Sequence, residues 1–284
     1  FSQYRSEPFH AGITNYQKGG WQAVEADAKD KSEFMLDLGI NTVLAPVADV
    51  PYSRSDYIYS RAFSTDADSV SEYVSKTVST MKENNLLSCV KHFPGYGNNG
   101  DTHSQIIRDK RKLSTFKSRD LLPFKAGIKA GADMIMVSHN IVDAFDKKHP
   151  ASLSKKVHKY IRNEMNYDGV IITDGLGMNG VVDFVGGDKG EAAIKSVLAG
   201  NDMLCANNYK IQYPAVLKAV KDGKIKEKQI EKTYLAITDG IPNPSEGTMR
   251  FPIKRADDSV LKRVVAPDGK EAVTHYRVLK QSDG

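Results

Sequence analysis

The sequence predicts an α/β protein in which a parallel sheet is covered by helices. Three observations carry this. Short apolar runs alternate with amphipathic stretches from Trp21 to Asp222. The runs are apolar on both faces, as strands buried between two layers must be. The residues that look chemically active fall at the C-terminal ends of those runs, where (β/α) proteins build their sites. With 284 residues, the chain can bury one large core or two smaller ones.

The elements follow in order. Trp21 to Leu38 reads as a helix, with Val24, Ala28, Met35 and Leu38 recurring among charges, and Gly39 stops it. Ile40 to Val50 reads as a buried strand that Pro46 ends or kinks near Ala45. Ala67 to Glu83 is a helix with Val70, Tyr73, Val74, Val78 and Met81 on one face, and Leu86 to His92 is a strand. Ser118 to Ala130 is a helix and Ala132 to His139 a strand. Ser154 to Asn166 is a helix capped by Ser152 or Ser154, and Gly169 to Asp174 is a strand. Lys189 to Ala199 is a helix, Asp202 to Cys205 a strand and Ile211 to Asp222 a helix.

Five strands are predicted, where a closed (β/α)8 barrel needs eight. Asp49, Lys91-His92, His139 and Asp174 all end strands, as the barrel rule expects. A doubly wound open sheet is the competing architecture, and the G-x-x-x-x-G-K-[ST] phosphate loop that such sheets often carry does not occur.

Composition narrows the partners. The net charge of +5 is mild, and Lys and Arg are scattered among Asp and Glu. That pattern describes a solvated mixed surface, so no nucleic-acid partner is expected. No apolar run reaches the ~18 residues of a membrane span. Cys89 and Cys205 sit in apolar runs and read as buried free thiols. The chain opens at Phe1 with neither a starting Met nor a signal peptide, so a processed chain or a fragment is expected.

The densest chemistry lies at Lys91-His92-Phe93-Pro94-Gly95-Tyr96-Gly97, continuing to Asp101-Thr102-His103. In an extended loop, residues i and i+2 project to one side. Asp101 can therefore orient His103 as a general acid/base, unless both are plain exposed loop residues. Asp174 directly follows a buried strand, with Gly175 and Gly177 opening space beside it. That suits a nucleophile or base; a helix N-cap is the alternative. Lys91 and His92 can donate to substrate hydroxyls, or be satisfied by neighbouring strands. Arg61 lies in a loop rich in Tyr and Ser that could close over a sugar. His139 can serve only to finish a hydrogen-bond network. The histidines lack metal-ligand spacing, so neither a metal nor a cofactor is implied.

Four motifs resemble the family 3 glycoside hydrolases, in their β-N-acetylglucosaminidase branch. They are Leu44-Ala45-Pro46-Val47-Ala48-Asp49-Val50, Arg61-Ala62-Phe63, the Lys91 to His103 block, and Ile172-Thr173-Asp174-Gly175-Leu176-Gly177-Met178. Together with Ala199-Gly200-Asn201-Asp202-Met203-Leu204, the resemblance spans about residues 9–230. It implies an incomplete (β/α)8 TIM-type barrel, about strands 4 to 8, and a retaining double displacement on an oligosaccharide or other small glycoside. Asp174 would be the nucleophile and His103, paired with Asp101, the acid/base. Lys91, His92 and Arg61 match sugar-binding positions, and Asp49 matches a position near the site floor. Gly175 stands where many relatives carry a second Asp, and Tyr96 where His is common. The family's first three strands have no counterpart here. An open parallel sheet exposes two edges, so weak or no activity is expected of this chain.

From about Glu231 the pattern changes. Ile230 to Ile237 alternates like a strand, Gly240 to Thr248 reads as a linker, and Phe251–Arg255 and Ala272–Leu279 read as strands bounding a Pro267-Asp268-Gly269 turn. This β-rich tail, 231–284, resembles an internal fragment of RluA-type pseudouridine synthases, without that family's catalytic motif. The expectation is a junction of unrelated segments near residue 230, after a barrel domain at 1–230. The leading functional reading is an exo-acting β-N-acetylglucosaminidase. A family 3 β-glucosidase, a non-catalytic sugar-binding relic and, from the tail alone, an RNA-modifying fragment are the alternatives. Compartment and oligomeric state are not legible.

Overall fold

A computed structural model of the chain describes residues 9–226, 244–255 and 263–278. Helix α1 (Gly12–Asp37) is two helical segments joined through Gly19 and Gly20, whose backbone is not helical; the second, from Trp21, matches the predicted Trp21–Leu38 helix, and the first is not predicted. Gly20 sits at φ 63°, which costs glycine little. Residues 41–48 then run extended beside residues 87–91. The Cys89 amide donates to the Ala45 carbonyl at 2.8 Å, and the Ala48 amide to the Lys91 carbonyl at 2.6 Å. The predicted strand Ile40–Val50 is therefore a discontinuous one, bridged at Thr42–Leu87 and Val47–Lys91. Pro46 supplies no donor between those bridges.

Helix α2 (Ala67–Glu83) is capped by Asp66, whose Oδ1 accepts the Ser69 amide at 2.8 Å. Strand β1 (Cys89–Phe93) follows, then a short β2 (Arg108–Asp109), helix α3 (Leu121–Ala130), β3 (Met134–Val137) and a short β4 (Ile141–Val142). Helix α4 (Lys155–Lys159), β5 (Val170–Thr173), α5 (Lys189–Ala199) and α6 (Tyr209–Lys221) complete the run. The cap of α4 is Ser154, whose Oγ accepts the Val157 amide at 3.3 Å. Wide π-type turns at Phe116–Asp120 and Tyr160–Glu164 adjoin α3 and α4, where the sequence predicts regular helix.

Strand β1 pairs parallel with β3, and β3 with β5; Ile172 bridges in parallel to Met203. The five extended runs therefore lie side by side in the order in which they occur in the chain. A doubly wound sheet would reverse that order at a switch point, so the winding is that of a (β/α) barrel. The pair β2–β4 adds a small parallel ribbon that the sequence does not announce.

The two sheet faces differ. Val90, Phe93, Ile135, Val137 and Ile171 pack against Val70, Val74, Val78, Phe124, Val157 and Ile161 of the covering helices. Cys89, Met134, Met136 and Ile172 point the other way into a smaller cluster. Strand alternation puts Lys91 and Asp174 on this second face, two residues beyond Cys89 and Ile172. Cys89 is buried, while Cys205 is only half-buried; both are free thiols.

The chain divides into two compact units, Phe1–Gln229 and Ile230–Gly284. The second is an antiparallel sheet of β6 (Glu246–Arg255), β7 (Arg263–Val265) and β8 (Lys270–Arg277), in the order β7-β6-β8. Strand β6 starts inside the expected linker Gly240–Thr248. The Pro267-Asp268-Gly269 turn joins β7 to β8, whereas the sequence reading misses β7. The strand expected at Ile230 to Ile237 lies outside the described residues.

Candidate active site

Three loops at the C-terminal ends of the strands hold the predicted site residues. Asp49, at the end of the first extended run, is fully buried. Its Oδ1 accepts the Tyr96 amide at 2.7 Å. Its Oδ2 accepts the His92 amide at 3.1 Å and the His92 Nδ1 proton at 2.7 Å. Arg61 donates from Nη2 to His92 Nε2 at 3.2 Å. Because a guanidinium can only donate, Nε2 accepts and the ring proton sits on Nδ1. Asp49 thus lies beneath His92 with both oxygens engaged, and Arg61 lies on the other side of the ring.

The peptides Lys91–His92 and Phe93–Pro94 are cis, and Gly95 sits at φ 113°. A Cβ on Gly95 would come within 3.0 Å of Asp120, so side chain and backbone both favour glycine there. Gly95-Tyr96-Gly97-Asn98-Asn99-Gly100 has the spacing of a dinucleotide-binding turn, but β2 follows it and no helix opens on it. Tyr96 is buried; its hydroxyl pairs with Thr102 Oγ1 at 2.7 Å, and its ring meets His92 edge-on.

Asp101 and His103 come together as expected, but through a turn in which the Asp101 carboxylate holds the His103 amide, not through an extended loop. The Asp101 Oδ1 accepts the His103 amide at 2.8 Å and its Nδ1 proton at 2.6 Å. Partial burial alone would raise the Asp101 carboxyl; the His103 amide and ring, with the Tyr57 hydroxyl, outweigh it and hold it below the usual range. The ring of His103 is open to solvent on its other side, its side chain 57% exposed. The Tyr57 hydroxyl lies 3.3 Å from Nδ1, a contact the sequence does not signal.

Asp174 is half-buried at the end of β5. Its amide bonds the Val137 carbonyl at 3.0 Å, and its Oδ1 accepts the Gly175 amide at 2.8 Å. Among the described residues no hydrogen bond engages Oδ2. The next turn is fixed by His139, whose Nε2 donates to the Gly175 carbonyl at 3.0 Å while Nδ1 accepts from Ser152 Oγ at 2.7 Å. Burial lowers the His139 pKa, consistent with a neutral ring in that role. Lys91 is also depressed, first by burial and then by the charge of Arg61, while Asp174 and Asp49 pull the other way. Lys91 and Asp174 are thus within electrostatic range of each other.

The backbone joins the two chemical loops. The Asn179 amide donates to the His103 carbonyl at 3.1 Å, and the Gly180 amide to the Thr102 carbonyl at 3.0 Å. The turn after Asp174 and the loop of His103 therefore form one hydrogen-bonded body. Among the described residues no three of His, Cys, Asp and Glu gather as a metal site, and no helix is long and apolar enough to cross a membrane.

Residues 12–239 match the model of the glycosyl hydrolase family 3 N terminal domain. The chain belongs to glycosyl hydrolase family 3. A β-hexosaminidase from Methylococcus capsulatus is 31% identical over 223 residues, covering 78% of this chain and 64% of that protein. Another β-hexosaminidase, from Idiomarina loihiensis, is 35% identical over 184 residues, covering 64% of this chain and 54% of that one. A family 3 β-N-acetylglucosaminidase from Paenibacillus sp. superposes with a TM-score of 0.71 at 30% identity, over 77% of this chain and 42% of the other. This family 3 chain thus spans about half to just under two thirds of the length of the curated relatives it matches. Residues 203–284 also match the RNA pseudouridylate synthase model, overlapping the hydrolase match over 203–239.

Proposed function

We propose that the protein is a retaining glycosidase that releases terminal β-linked N-acetylhexosamine. The observation that carries this is the hydrogen-bonded body joining the Asp101–His103 pair to the turn after Asp174. It couples a proton donor to a carboxylate with one uncommitted oxygen. The curated relatives named β-hexosaminidase support the choice of sugar.

Asp174 attacks the anomeric carbon through Oδ2 and forms a glycosyl ester. His103 gives its Nε2 proton to the leaving oxygen, and Asp101 stabilises the imidazolium up to that transfer. The neutral ring then takes a proton from water, which opens the ester with a second inversion and so retains configuration overall. Lys91 and Arg61 hold the sugar hydroxyls; His92, buried with both ring nitrogens engaged, does not reach the sugar as the sequence suggests but positions Arg61, and Asp49 fixes its tautomer from below. Residues 1–230 form the catalytic domain, and 231–284 form a β-rich tail with no part in this chemistry.

The test is release of nitrophenol from a nitrophenyl N-acetyl-β-glucosaminide, with the β-glucoside as control. Asp174→Asn is expected to lower turnover about a thousandfold or more. Faster release from the glucoside would move the reading to a β-glucosidase. Weak release is expected of the parent chain; one that binds the sugar and releases nothing at all would overturn the reading in favour of a binding protein.

A further inference from the structure

We infer that Tyr96 is a positioning residue for the acid/base pair: its hydroxyl, bonded to Thr102, ties the turn of Asp101 and His103 to the floor formed by Asp49 and His92, and so aims His103. The inference rests on the reading of His103 as the acid/base.

Both ends of this link are held by contacts of their own. At one end, the Tyr96 amide donates to Asp49 Oδ1 at 2.7 Å, and the other oxygen of that carboxylate holds His92. The Tyr96 ring meets the His92 ring edge-on, with centroids 5.4 Å apart and planes at 89°. The Tyr96 carbonyl accepts the Asn99 amide at 3.0 Å and Asn99 Nδ2 at 2.8 Å. At the other end, Thr102 lies between Asp101 and His103, and its carbonyl accepts the Gly180 amide at 3.0 Å. The two hydroxyls meet at 2.7 Å, and both residues are buried. Among the described residues, neither hydroxyl has another hydrogen-bond partner.

The place of Thr102 in the turn gives the link its effect. The side chains of Asp101 and His103 face outward, 35% and 57% exposed, whereas that of Thr102 between them faces inward. Holding Thr102 inside therefore sets the direction in which its two neighbours leave the backbone. Thr102 is tied to both other parts of the site, by its hydroxyl to the Asp49–His92 floor through Tyr96, and by its carbonyl to the turn after Asp174. Removing the hydroxyl from either end leaves the other buried without a partner and draws the turn toward water. A proton donor misplaced by about 1 Å can lose about a hundredfold in rate.

The experiment compares kcat/KM of the full chain on two N-acetyl-β-glucosaminides, one releasing phenol and the other dinitrophenol. Phenol leaves slowly unless it is protonated, whereas dinitrophenolate leaves unaided. Tyr96→Phe and Thr102→Val each remove the link and keep the shape of the side chain. Each is expected to lower kcat/KM about tenfold or more on the phenyl substrate, and less than about threefold on the dinitrophenyl one. The double variant should lose no more than either single one. Thr102→Ser, which keeps a hydroxyl, should behave as the parent. An equal loss on both substrates overturns the inference, because the link would then serve folding or sugar binding alone. So does no loss on either. His103→Gln separates this outcome from the reading beneath it. If His103→Gln spares the phenyl substrate, His103 is not the acid and both fall. If it shows the selective loss while Tyr96→Phe and Thr102→Val do not, the positioning role alone falls.

Discussion

Arg111 ties together three segments that carry the site. Its Nη2 reaches Asp109 Oδ2 at 2.6 Å and the Gly95 carbonyl at 2.8 Å, and its Nη1 reaches Asp120 Oδ1 at 2.7 Å. The guanidinium also lies 4.4 Å from the Phe116 ring. Burial works against its charge, but the two carboxylates outweigh that and hold it protonated. Arg111→Met would strand Asp109 and Asp120, which are 1% and 0% exposed. Arg119, 3.6 Å from Asp120, and Asn99, 2.6 Å from Asp109, compensate only in part. Urea denaturation should show a loss of about 3–5 kcal/mol. A loss below about 1 kcal/mol would mean that the loop is held by other contacts. The sequence gives no hint of this role, since Arg111 sits in a basic run that reads as solvated surface. Asp101 and His103 are legible because their partnership is encoded two residues apart. Asp49 and Arg61 meet His92 from 43 and 31 residues away, and no local pattern records such pairs.

At the scale of elements, the strand ends are positioned by how their loops dock on one another. Gly180 is the tightest point of contact between the loops of Asp174 and His103. A Cβ there would lie 2.7 Å from the Thr102 carbonyl oxygen and 2.8 Å from that of Gln105. Both are backbone atoms, so neither can swing aside as a side chain would. Gly180→Ala is therefore expected to push the His103 loop away and, if His103 is the proposed proton donor, lower kcat/KM by about ten- to a hundredfold by misplacing it. Steady-state kinetics on the nitrophenyl hexosaminide decide it; an unchanged kcat/KM would show that this docking does not aim His103. Apolar runs made the helices and the buried strands readable in advance, as for α2 and α5, and the expected serine cap is found at Ser154 of α4. The failures are elements defined by their partners: the two-residue strands β2 and β4 exist only through each other, and the π-type turns leave the apolar period unchanged. The short segment of α1 before Gly19-Gly20 escaped because it is too brief to show an apolar period of its own.

At the scale of the whole molecule, the two units differ in how they are stabilised. The first has separate apolar clusters on both sheet faces, with buried side chains such as Phe93, Phe124 and Ile135, each worth about 1.5–3 kcal/mol on burial. In the described part of the second, Met249, Phe251, Val265 and Val273 are all exposed. Its order rests mainly on the β7-β6-β8 ladder, and small sheets with little buried apolar area are marginal. The second unit should accordingly unfold first. The chain offers a clean probe, because its one tryptophan, Trp21, belongs to the first unit and packs on Phe63. Tryptophan fluorescence then reports the first unit alone, while circular dichroism in the strand region reports both. In urea, the dichroism should begin to change before the fluorescence, and calorimetry of the full chain should resolve two transitions. Coincident curves with a single calorimetric transition would mean that the tail shares the barrel unit's cooperativity, and the proposed boundary near residue 230 would fall.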